Sequence, residues 1–517
     1  MKTKKWVSAA LATTLAVSGL VGCASKEEAK TGEGGKTSTE SAKPAEPTTI
    51  KALAILSSGE PPVLENNQAL KEIEKRANVK LQVEFVPGDV YTDKVNIAIA
   101  AGSQYDMILM TDGKDDKFVK LVKQGAFHDI SALVKDSKNL QRIPQYTWDN
   151  TTVDSKVFGV PRPRAIHGGG NANFFIRKDW LDKYGLAVPK TIDEFTNALK
   201  VFKEKDPAGG GKTIPLVAGP FTSPWYGSLN PIGFGFGLPY TYKVDGDKAS
   251  AYFQQPEYKA YLDWIKMAYT GGLIDKDAPV LKSGQVQDKF LSGVAGAWVN
   301  NVGLLNENKL ATIRKADPKA EVVGIPSLTG PTGKTGVQMI EGYFGIWVIP
   351  SNVSKDKAKK IVEFLDWSAT EDATILGKAG VQGVHYSNYN KELNVAERTD
   401  EQKKLYDKEK PNLLILQNDY TKYYYVDSQK PEIQKAQKDV LDAFDKVGVA
   451  NPFLMYLSET NGKNPDNTKK ITDATVNYVM GKGEWSAVQA EVDAWGKGIG
   501  ATILKEYMDQ YNANKKK

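Results

Sequence analysis

The stretch VKLQVEFVPGDVYTDKVNIAIAAGSQYDMILM, residues 79–110, decides the fold. Its first eight residues alternate apolar and polar side chains with the two-residue period of a β-strand. Residues 91–101 have apolar residues at helical spacing, and residues 107–110 form a short apolar strand. An apolar strand over 50–56 and a helical pattern over 64–76 come before it. The resulting order, βαβαβ, predicts an α/β fold with a parallel sheet and right-handed crossovers.

Ligands of open parallel sheets bind beyond the carboxyl ends of the strands. In this chain, polar segments follow two of the predicted strands at these ends. Glu60 lies in the segment 57–60, and Asp112 lies in the segment 111–113. Both carboxylates are therefore predicted to reach a binding site.

The rest of the body continues the mixture of strands and helices. Thr191 and Glu194 form a capping-box pattern before a helix, and Ser354 is placed to cap another helix that runs to Trp367. Residues 343–350 are a buried strand, and the last hundred residues look mainly helical. A body of about 470 residues is long enough for two or three domains.

The N-terminus has the layout of a secretory signal peptide over residues 1–22. Three lysines precede an uncharged, mostly apolar run over residues 6–22, and small residues crowd its end. The alternative is a transmembrane helix, but the run is short for a span, which needs about 20 predominantly apolar residues. Cys23 follows directly and is the single cysteine of the 517 residues, so no disulfide can form within the chain.

Residues 24–49 contain no Leu, Ile, Val, Met or aromatic residue. Such a stretch cannot bury enough apolar area to offset its ordering entropy, so residues 23–49 are predicted to be a disordered tether that starts at Cys23. The net charge of +6 becomes +3 when residues 1–22 and their three lysines are removed. This balance does not indicate a nucleic-acid partner.

Several blocks, in order along the chain, carry a family resemblance. They are AAGSQYDMILM (100–110), GAFHDISALV (125–134), VFGVPRPRAIHGGGNANFFIRKDWLDKYGLAVPKTIDEF (157–195), KFLSGVAGAWVNN (289–301) and GYFGIWVIPSNVSKDKAKKIVEFLDW (342–367). Together they resemble the family 1 extracellular solute-binding lipoproteins of carbohydrate-type ABC importers, relatives of maltodextrin- and alginate-oligosaccharide-binding proteins. The resemblance covers nearly the whole chain after the tether.

The resemblance implies a two-lobed, type II periplasmic-binding-protein-like fold that closes on a ligand like a hinge. Three crossings between the lobes are expected near 164–170, 324–330 and 382–388. The expected N-terminal lobe comprises residues 50–165 and 328–383, and the expected C-terminal lobe comprises residues 166–327 and 384–517, including the helical C-terminal region.

Residues 20–23, Leu-Val-Gly-Cys, look like a bacterial lipobox. The resemblance implies that Cys23 becomes the first residue of the mature chain and carries a diacylglyceryl group. The protein would then be anchored in the lipid bilayer at the extracytoplasmic face of the cell membrane. The alternative, a buried free cysteine, does not suit a position beside a predicted disordered stretch.

The resemblance also implies a sugar or oligosaccharide ligand and ABC permease subunits as partners, with the protein itself a monomer and no cofactor. Sugar rings stack on aromatic side chains, and their hydroxyls bind carboxylates, amides and arginines. Trp298 aligns with a sugar-stacking position of the family. The other candidates for ligand binding at the expected pocket are Trp225, Tyr226, Asn300, Glu341, Tyr343 and Arg164, the last beside Arg162 and His167.

Relatives often carry a calcium loop that reads KEKDPNGNGKKDEIPL, where this chain reads KEKDPAGGGKTIPL over residues 203–216. Ala208 replaces an asparagine, and the trailing Asp-Glu pair is missing. Asp206 alone cannot supply the six to eight oxygen ligands that calcium takes. No metal is therefore predicted at this loop.

Enzyme functions find little support in the motifs. The GGGKT at 209–213 and the GFGFG at 233–237 do not complete the nucleotide-binding patterns, and the three histidines form no HExxH motif. A lipid-anchored glycan-processing enzyme stays open as an alternative, because Glu60, Asp112 and Glu341 could supply paired carboxylates. A binding protein for a peptide or other non-sugar solute, and a surface sensor or adhesin, also stay open.

Overall fold

The computed structural model describes residues 46–517 except 57–58, 112, 165, 167–172, 224–228, 394, 419–429, 445 and 516–517. The predicted signal peptide, Cys23 and nearly all of the predicted tether lie outside the described residues. Asp112, His167, Trp225 and Tyr226 also lie outside them. The tether was predicted to extend to residue 49, but the first strand already begins at Thr48.

The strands of the described chain are, in order, β1 (Thr48–Leu56), β2 (Val79–Pro87), β3 (Met107–Met110), β4 (Gly159–Pro163), β5 (Asn173–Arg177), β6 (Ile214–Val217), β7 (Tyr242–Asp245), β8 (Lys248–Ala251), β9 (Ala295–Asn300), β10 (Val322–Ile325), β11 (Val337–Gln338), β12 (Tyr343–Val348), β13 (Asn388–Asn390), β14 (Val395–Glu397) and β15 (Gly448–Val449).

The α-helices are α1 (Gln68–Ala77), α2 (Gly88–Ala100), α3 (Asp116–Lys123), α4 (Ser131–Lys135), α5 (Gln145–Asp149), α6 (Lys178–Lys183), α7 (Ile192–Lys205), α8 (Asn230–Gly235), α9 (Glu257–Thr270), α10 (Ser283–Leu291), α11 (Glu307–Ala316), α12 (Lys355–Ser368), α13 (Glu371–Ala379), α14 (Asp400–Glu409), α15 (Pro411–Leu414), α16 (Pro431–Phe444), α17 (Glu459–Lys463), α18 (Lys469–Val479), α19 (Trp485–Lys497) and α20 (Ile499–Lys515). In the part of the chain that the structure describes, no helix is long and apolar enough to cross a membrane.

The first sheet confirms the βαβαβ prediction. Its strand order is β2-β1-β3-β12-β4, with β1 parallel to both β2 and β3. Strand β12 arrives from much later in the chain and pairs antiparallel with both β3 and β4. The carboxyl ends of β1, β2, β3 and β4 therefore share one edge with the start of β12.

The second sheet has the order β10-β5-β9-β6. Strand β5 is antiparallel to β9 and β10, whereas β6 is parallel to β9. The start of β5 consequently lies at the same edge as the ends of β6, β9 and β10. Helix α7 packs on this sheet and begins with the predicted capping box, in which Thr191 and Glu194 satisfy each other's main-chain N–H groups.

Each sheet has its own apolar core within the compact unit Pro47–Lys517. The first core joins the first sheet to α2, α12 and α13, and we call this body the first lobe. The second core joins the second sheet to α7, α9 and the C-terminal helices α18 to α20, and we call this body the second lobe. The helical C-terminal region therefore packs in the second lobe, as the sequence predicts.

The third crossing lies later than the predicted segment 382–388, so the predicted boundary at residue 384 is wrong. Residues 414–416 belong to the core of the first lobe, where Trp347 Nε1 donates a hydrogen bond to the Leu416 carbonyl at 2.7 Å. By contrast, Ile433 of α16 packs with strands of the second sheet. The chain thus changes lobes between Gln417 and Pro431. Local sequence pattern missed this because the contact joins residues about seventy positions apart.

A buried polar pair holds the segment 381–409 on the first lobe. His385 and Glu409 are 0% and 4% exposed, and His385 Nε2 lies 3.2 Å from Glu409 Oε2. His385 Nδ1 accepts a hydrogen bond from the Val381 main-chain N–H at 3.0 Å, so Nε2 carries the ring proton. Glu409 Oε2 also accepts from the Ala69 N–H at 3.0 Å, near the start of α1. Burial lowers the pKa of His385 despite the carboxylate beside it.

The lowered pKa makes stability depend on pH. Between the lowered pKa and the ordinary value of about 6.5, the unfolded chain binds more protons than the folded chain. The contribution of His385 to the free energy of unfolding is complete above about pH 6.5, the ordinary pKa, and is lost as the pH falls from there to the lowered pKa.

We expect the free energy of unfolding to fall less steeply between pH 7.5 and 5.5 in His385→Gln than in the wild type. Denaturant titrations at each pH measure this, with His128→Gln as the control. Equal slopes in all three proteins would contradict it.

Candidate functional site

The connections between the lobes leave from the two edges at which the strands end. The chain passes from the end of β4 to the start of β5, and from the end of β10 toward the start of β12. All four of these strand ends lie at the edges defined above. The candidate site is therefore the cleft that these connections bridge, as expected for sheets of this kind.

The first two connections pair with each other through main-chain hydrogen bonds. The Arg164 N–H donates to the Gly342 carbonyl at 2.9 Å, and the Ile340 N–H donates to the Ile166 carbonyl at 2.7 Å. Gly342 has a φ of +83°, and a Cβ atom at this position would overlap the hydroxyl of Thr147. The position therefore requires glycine. This pairing holds Glu341 at the junction of the lobes.

Glu341 acts electrostatically on three tyrosines, which we call the tyrosine cluster: Tyr146, Tyr240 and Tyr343. Burial raises the pKa of each phenol to about 12, and the nearby carboxylate of Glu341 adds to each shift. Tyr146 and Tyr343 belong to the first lobe, whereas Tyr240 follows α8 of the second lobe. All four side chains are partly exposed. Neutral phenols and a carboxylate from both lobes form a surface that suits ring faces and hydroxyl groups.

Helix α5 adds buried polar atoms without partners beside Glu341. Thr147 Oγ1 makes no hydrogen bond to any described residue, and the Tyr146 hydroxyl has only the side chain of Asn150 as a weak partner. The amide of Asn150 does donate to the Glu341 main-chain carbonyl at 3.3 Å. Buried polar groups are costly when unpaired, so this group of atoms indicates a place where a ligand or ordered water supplies the missing partners.

Lys114 connects the two lobes at the same edge. Its Nζ donates to the Met455 carbonyl at 2.9 Å, and its main-chain N–H donates to the Tyr343 hydroxyl at 3.1 Å. Met455 belongs to the segment between β15 and α17, next to Phe453 of the second core. Burial lowers the pKa of Lys114, while the charges of Asp149 and Asp154 oppose that shift. A candidate ligand residue is thus coupled to a contact between the lobes.

The sequence predictions for the site have mixed outcomes. Glu341 and Tyr343 come together at the lobe junction, and Arg164 lies beside them through its main-chain bond to Gly342. Asn300 ends β9 at the cleft edge, where its Oδ1 accepts from the Asn301 N–H at 2.7 Å. Glu60 is exposed after β1, and its main-chain carbonyl accepts from Lys410 Nζ.

Trp298 lacks the exposed ring surface that its predicted role, the stacking of a sugar ring, requires. Its side chain is 7% exposed and belongs to an apolar core, with its ring centroid 5.6 Å from that of Phe290. It lies on β9, a central strand with neighbours on both sides, so the ring is covered by the second lobe itself. Trp298 therefore stabilises the lobe and offers little ring surface to a ligand.

Sequence reasoning missed Tyr146 and Tyr240. Neither residue belongs to a motif or follows a strand of the sheets, and Tyr146 lies in a five-residue helix. Their approach to Glu341 joins segments about two hundred residues apart for Tyr146 and about one hundred for Tyr240. A local pattern contains no signal for such a contact.

The loop that resembles a calcium site is closed by its own hydrogen bonds. Asp206 Oδ2 accepts from the Gly211 N–H at 2.6 Å, and Oδ1 accepts from the Thr213 N–H at 3.1 Å. Hydrogen bonding to Thr213 and Gly211 lowers the pKa of Asp206. Across the described residues, no three Asp, Glu, His or Cys side chains are arranged to hold a metal. The residues present therefore do not fit calcium.

We expect 5 mM calcium, compared with EDTA, to leave the melting temperature of the protein unchanged. Asp206→Asn should lower the melting temperature slightly through weaker closure of the loop, equally with and without calcium. Thermal unfolding of both proteins tests this, with Glu204→Gln as a neighbouring surface control. A calcium-dependent rise in the melting temperature that disappears in Asp206→Asn would show the assignment to be wrong.

Known proteins resemble this chain over almost its full length. Lipoprotein LipO of Bacillus subtilis is 31% identical over 525 residues, which cover 99% of each chain. The polygalacturonan/rhamnogalacturonan-binding protein YtcQ of the same organism is 30% identical over 516 residues, again 99% of each chain.

The fold also matches a solved structure of the Streptococcus pneumoniae ABC-transporter substrate-binding protein FusA, an EF-hand mutant in complex with fructo-nystose. The TM-score is 0.62 at 21% identity, and the match covers 90% of this chain and 100% of that chain. This confirms the predicted two-lobed α/β fold. Residues 64–375 match the family model of the bacterial extracellular solute-binding proteins. The chain therefore belongs to the bacterial extracellular solute-binding protein family.

Proposed function

We propose that the protein is the substrate-binding component of an ABC importer and that it captures an oligosaccharide between its two lobes. The observation that carries this proposal is the tyrosine cluster around Glu341, to which both lobes contribute. YtcQ and FusA support a glycan ligand through what their names and complexes state. They name one acidic and one neutral glycan, so relationship alone leaves the sugar class open.

The geometry accounts for capture in physical terms. Phenol rings supply flat apolar faces for sugar CH groups, and their neutral hydroxyls donate to sugar oxygens. The Glu341 carboxylate accepts from sugar hydroxyls, and the unpaired atoms of α5 gain partners when a ligand arrives. Because the groups come from both lobes, a bound sugar favours the closed arrangement over an open one. A permease in the membrane then receives the closed form.

The proposal includes a lipid anchor at Cys23 and a position on the extracytoplasmic face of the membrane. The lipobox-like residues 20–23 support it, and LipO is named a lipoprotein. We further propose that residues 1–22 are a signal peptide, that the protein acts as a monomer and that it performs no catalysis on its ligand.

Binding should select glycans from a panel of neutral oligosaccharides, uronate oligosaccharides, peptides and monosaccharides. A ligand at 100 times its dissociation constant adds about 2.7 kcal/mol of stability, which a thermal-shift screen resolves. Glu341→Gln should weaken the hit by roughly tenfold or more, since hydrogen bonds to a charged acceptor are the stronger ones. Glu363→Gln, an exposed residue of α12, should change nothing.

Two results of this screen would contradict the proposal. Stabilisation by a peptide and by no glycan would exclude sugar capture. Recovery of a cleaved glycan after incubation, by mass spectrometry, would make the protein an enzyme.

The anchor is tested by Cys23→Ser. In cells that process lipoproteins, we expect the wild type to partition into the detergent phase of a phase-separation assay and to gain the mass of a diacylglyceryl group. Cys23→Ser should partition into the aqueous phase, because the thioether cannot form. Wild-type protein with an unmodified thiol in the aqueous phase would show that Cys23 is not acylated.

A further inference from the structure

A contact between the two lobes lies beside the candidate site and outside the chain connections. Lys114 follows β3, and its Nζ donates a hydrogen bond to the Met455 carbonyl at 2.9 Å. Asp116 of α3 lies against Gly462 of α17, where a Cβ atom would overlap the Asp116 carboxylate. We call these two contacts, between residues 114–116 and 455–462, the clasp. The chain connections persist in every arrangement of the lobes, whereas the clasp exists only while the lobes stay close together.

Each half of the clasp is fixed to its own lobe. The segment 455–462 is bound to α20, a helix of the second core, because Gln510 Nε2 donates to the Leu457 carbonyl at 2.6 Å. On the other side, Asp115 Oδ1 accepts from the Phe118 N–H at 2.7 Å, and the Phe118 ring is buried in the first core. Each half therefore moves with its own lobe, and the clasp depends on the distance between the lobes.

The clasp also supports a residue of the candidate site. The Lys114 main-chain N–H donates to the Tyr343 hydroxyl at 3.1 Å. The Tyr343 ring lies directly against Gly113, where a Cβ atom would overlap it. Lys114 thus bonds to Tyr343 through its main chain and to the second lobe through its ammonium group. When the ammonium group is bound, the segment on which Tyr343 rests is held from both sides.

We propose that Lys114 is a positioning residue for ligand capture: the clasp forms when the lobes close, and it holds Tyr343 in place in the same step. This inference rests on the proposed function. In an open arrangement the ammonium group is hydrated, and on closure it exchanges water for the Met455 carbonyl. A hydrogen bond from a charged donor stabilises the closed form whichever sugar lies between the lobes. Lys114 therefore raises the affinity without contacting the ligand.

The first experiment measures the binding of galacturonate oligomers and fructo-oligosaccharides of several lengths to the full chain. Lys114→Met removes the ammonium group but keeps the main-chain N–H and a similar volume. Its affinity for each oligomer that the wild type binds should fall by the same factor, about tenfold, because the lost bond stabilises the closed form rather than one particular sugar. Stopped-flow kinetics should place most of this change in the dissociation rate.

Two control variants separate positioning from folding. Lys114→Arg keeps a cationic donor and should bind within about threefold of the wild type. Lys120→Met removes an exposed lysine of α3 and should bind like the wild type. Without ligand, Lys114→Met should melt at the wild-type temperature, because the open form makes no clasp. A merely structural role for Lys114 would lower that temperature.

The second experiment traps the clasp with a disulfide. Cys23→Ser leaves the chain without cysteine, and Asp116→Cys with Gly462→Cys then adds two thiols at positions whose side chains meet across the lobes. An oligomer that the wild type binds should speed up oxidation of this pair by about threefold or more, because it favours the closed form. Gln104→Cys with Gly462→Cys should form no disulfide, because Gln104 precedes β3 at the opposite edge of the first sheet.

The outcomes distinguish this inference from the proposed function. Oxidation at the same rate with and without the oligomer would show that the contact is permanent and would overturn the clasp. Equal affinities of Lys114→Met and the wild type would overturn the role of Lys114, and a loss confined to one oligomer would make Lys114 a ligand contact instead. Each of these results leaves the sugar-capture proposal in place. Failure of every glycan in the panel to bind the wild type would overturn both.

Discussion

Two main-chain hydrogen bonds between residues 164–166 and 340–342 are the constraint on which the site depends. They tie the first two connections together where both leave the sheet edges. Gly342 allows this close approach, because any side chain there would overlap Thr147. The pairing places Glu341 at the junction of the lobes, two residues before Tyr343. Residues of the connections between the lobes are thus also residues of the candidate site.

The site contains polar groups that the folded chain does not satisfy by itself. Among the described residues, Thr147 Oγ1 of α5 has no partner and Lys114 is bound to a neutral carbonyl, and both lie near the junction. Such groups lower the stability of the ligand-free protein, and the two apolar cores offset that loss. Under the proposed function, a ligand that supplies the missing partners gains affinity from the same groups. The arrangement therefore favours capture over maximal stability.

The chemistry of the chain provides for neither an internal disulfide nor a metal in the loop after α7. With one cysteine, the chain cannot form an internal disulfide. In the loop after α7, the Asp206 carboxylate accepts main-chain hydrogen bonds that close the loop without a cation. Within the residues described, the lobes are held by packing, hydrogen bonds and ion pairs, among them the pairing of Arg177 with Asp179 and the buried contact of His385 with Glu409.

Sequence by itself determined the features that depend on neighbouring residues. Alternating apolar residues in β2 and the helical spacing that follows determined the βαβαβ unit, and the capping residues Thr191 and Ser354 determined where α7 and α12 begin. The positions of the predicted strand ends in the sequence indicated the edge of the candidate site, since a parallel sheet brings the carboxyl ends of its strands together. The family motifs added Glu341 and Tyr343 at the junction.

Only the tertiary structure decided which side chains meet across long separations. It moved the third crossing past residue 417, because residues 414–416 fill the first core beneath β12. It buried Trp298 under the second lobe and brought Tyr146 and Tyr240 to Glu341. Burial and charge compensation depend on all packed neighbours at once. A side chain's periodicity in the sequence shows which way it points, but not what covers it.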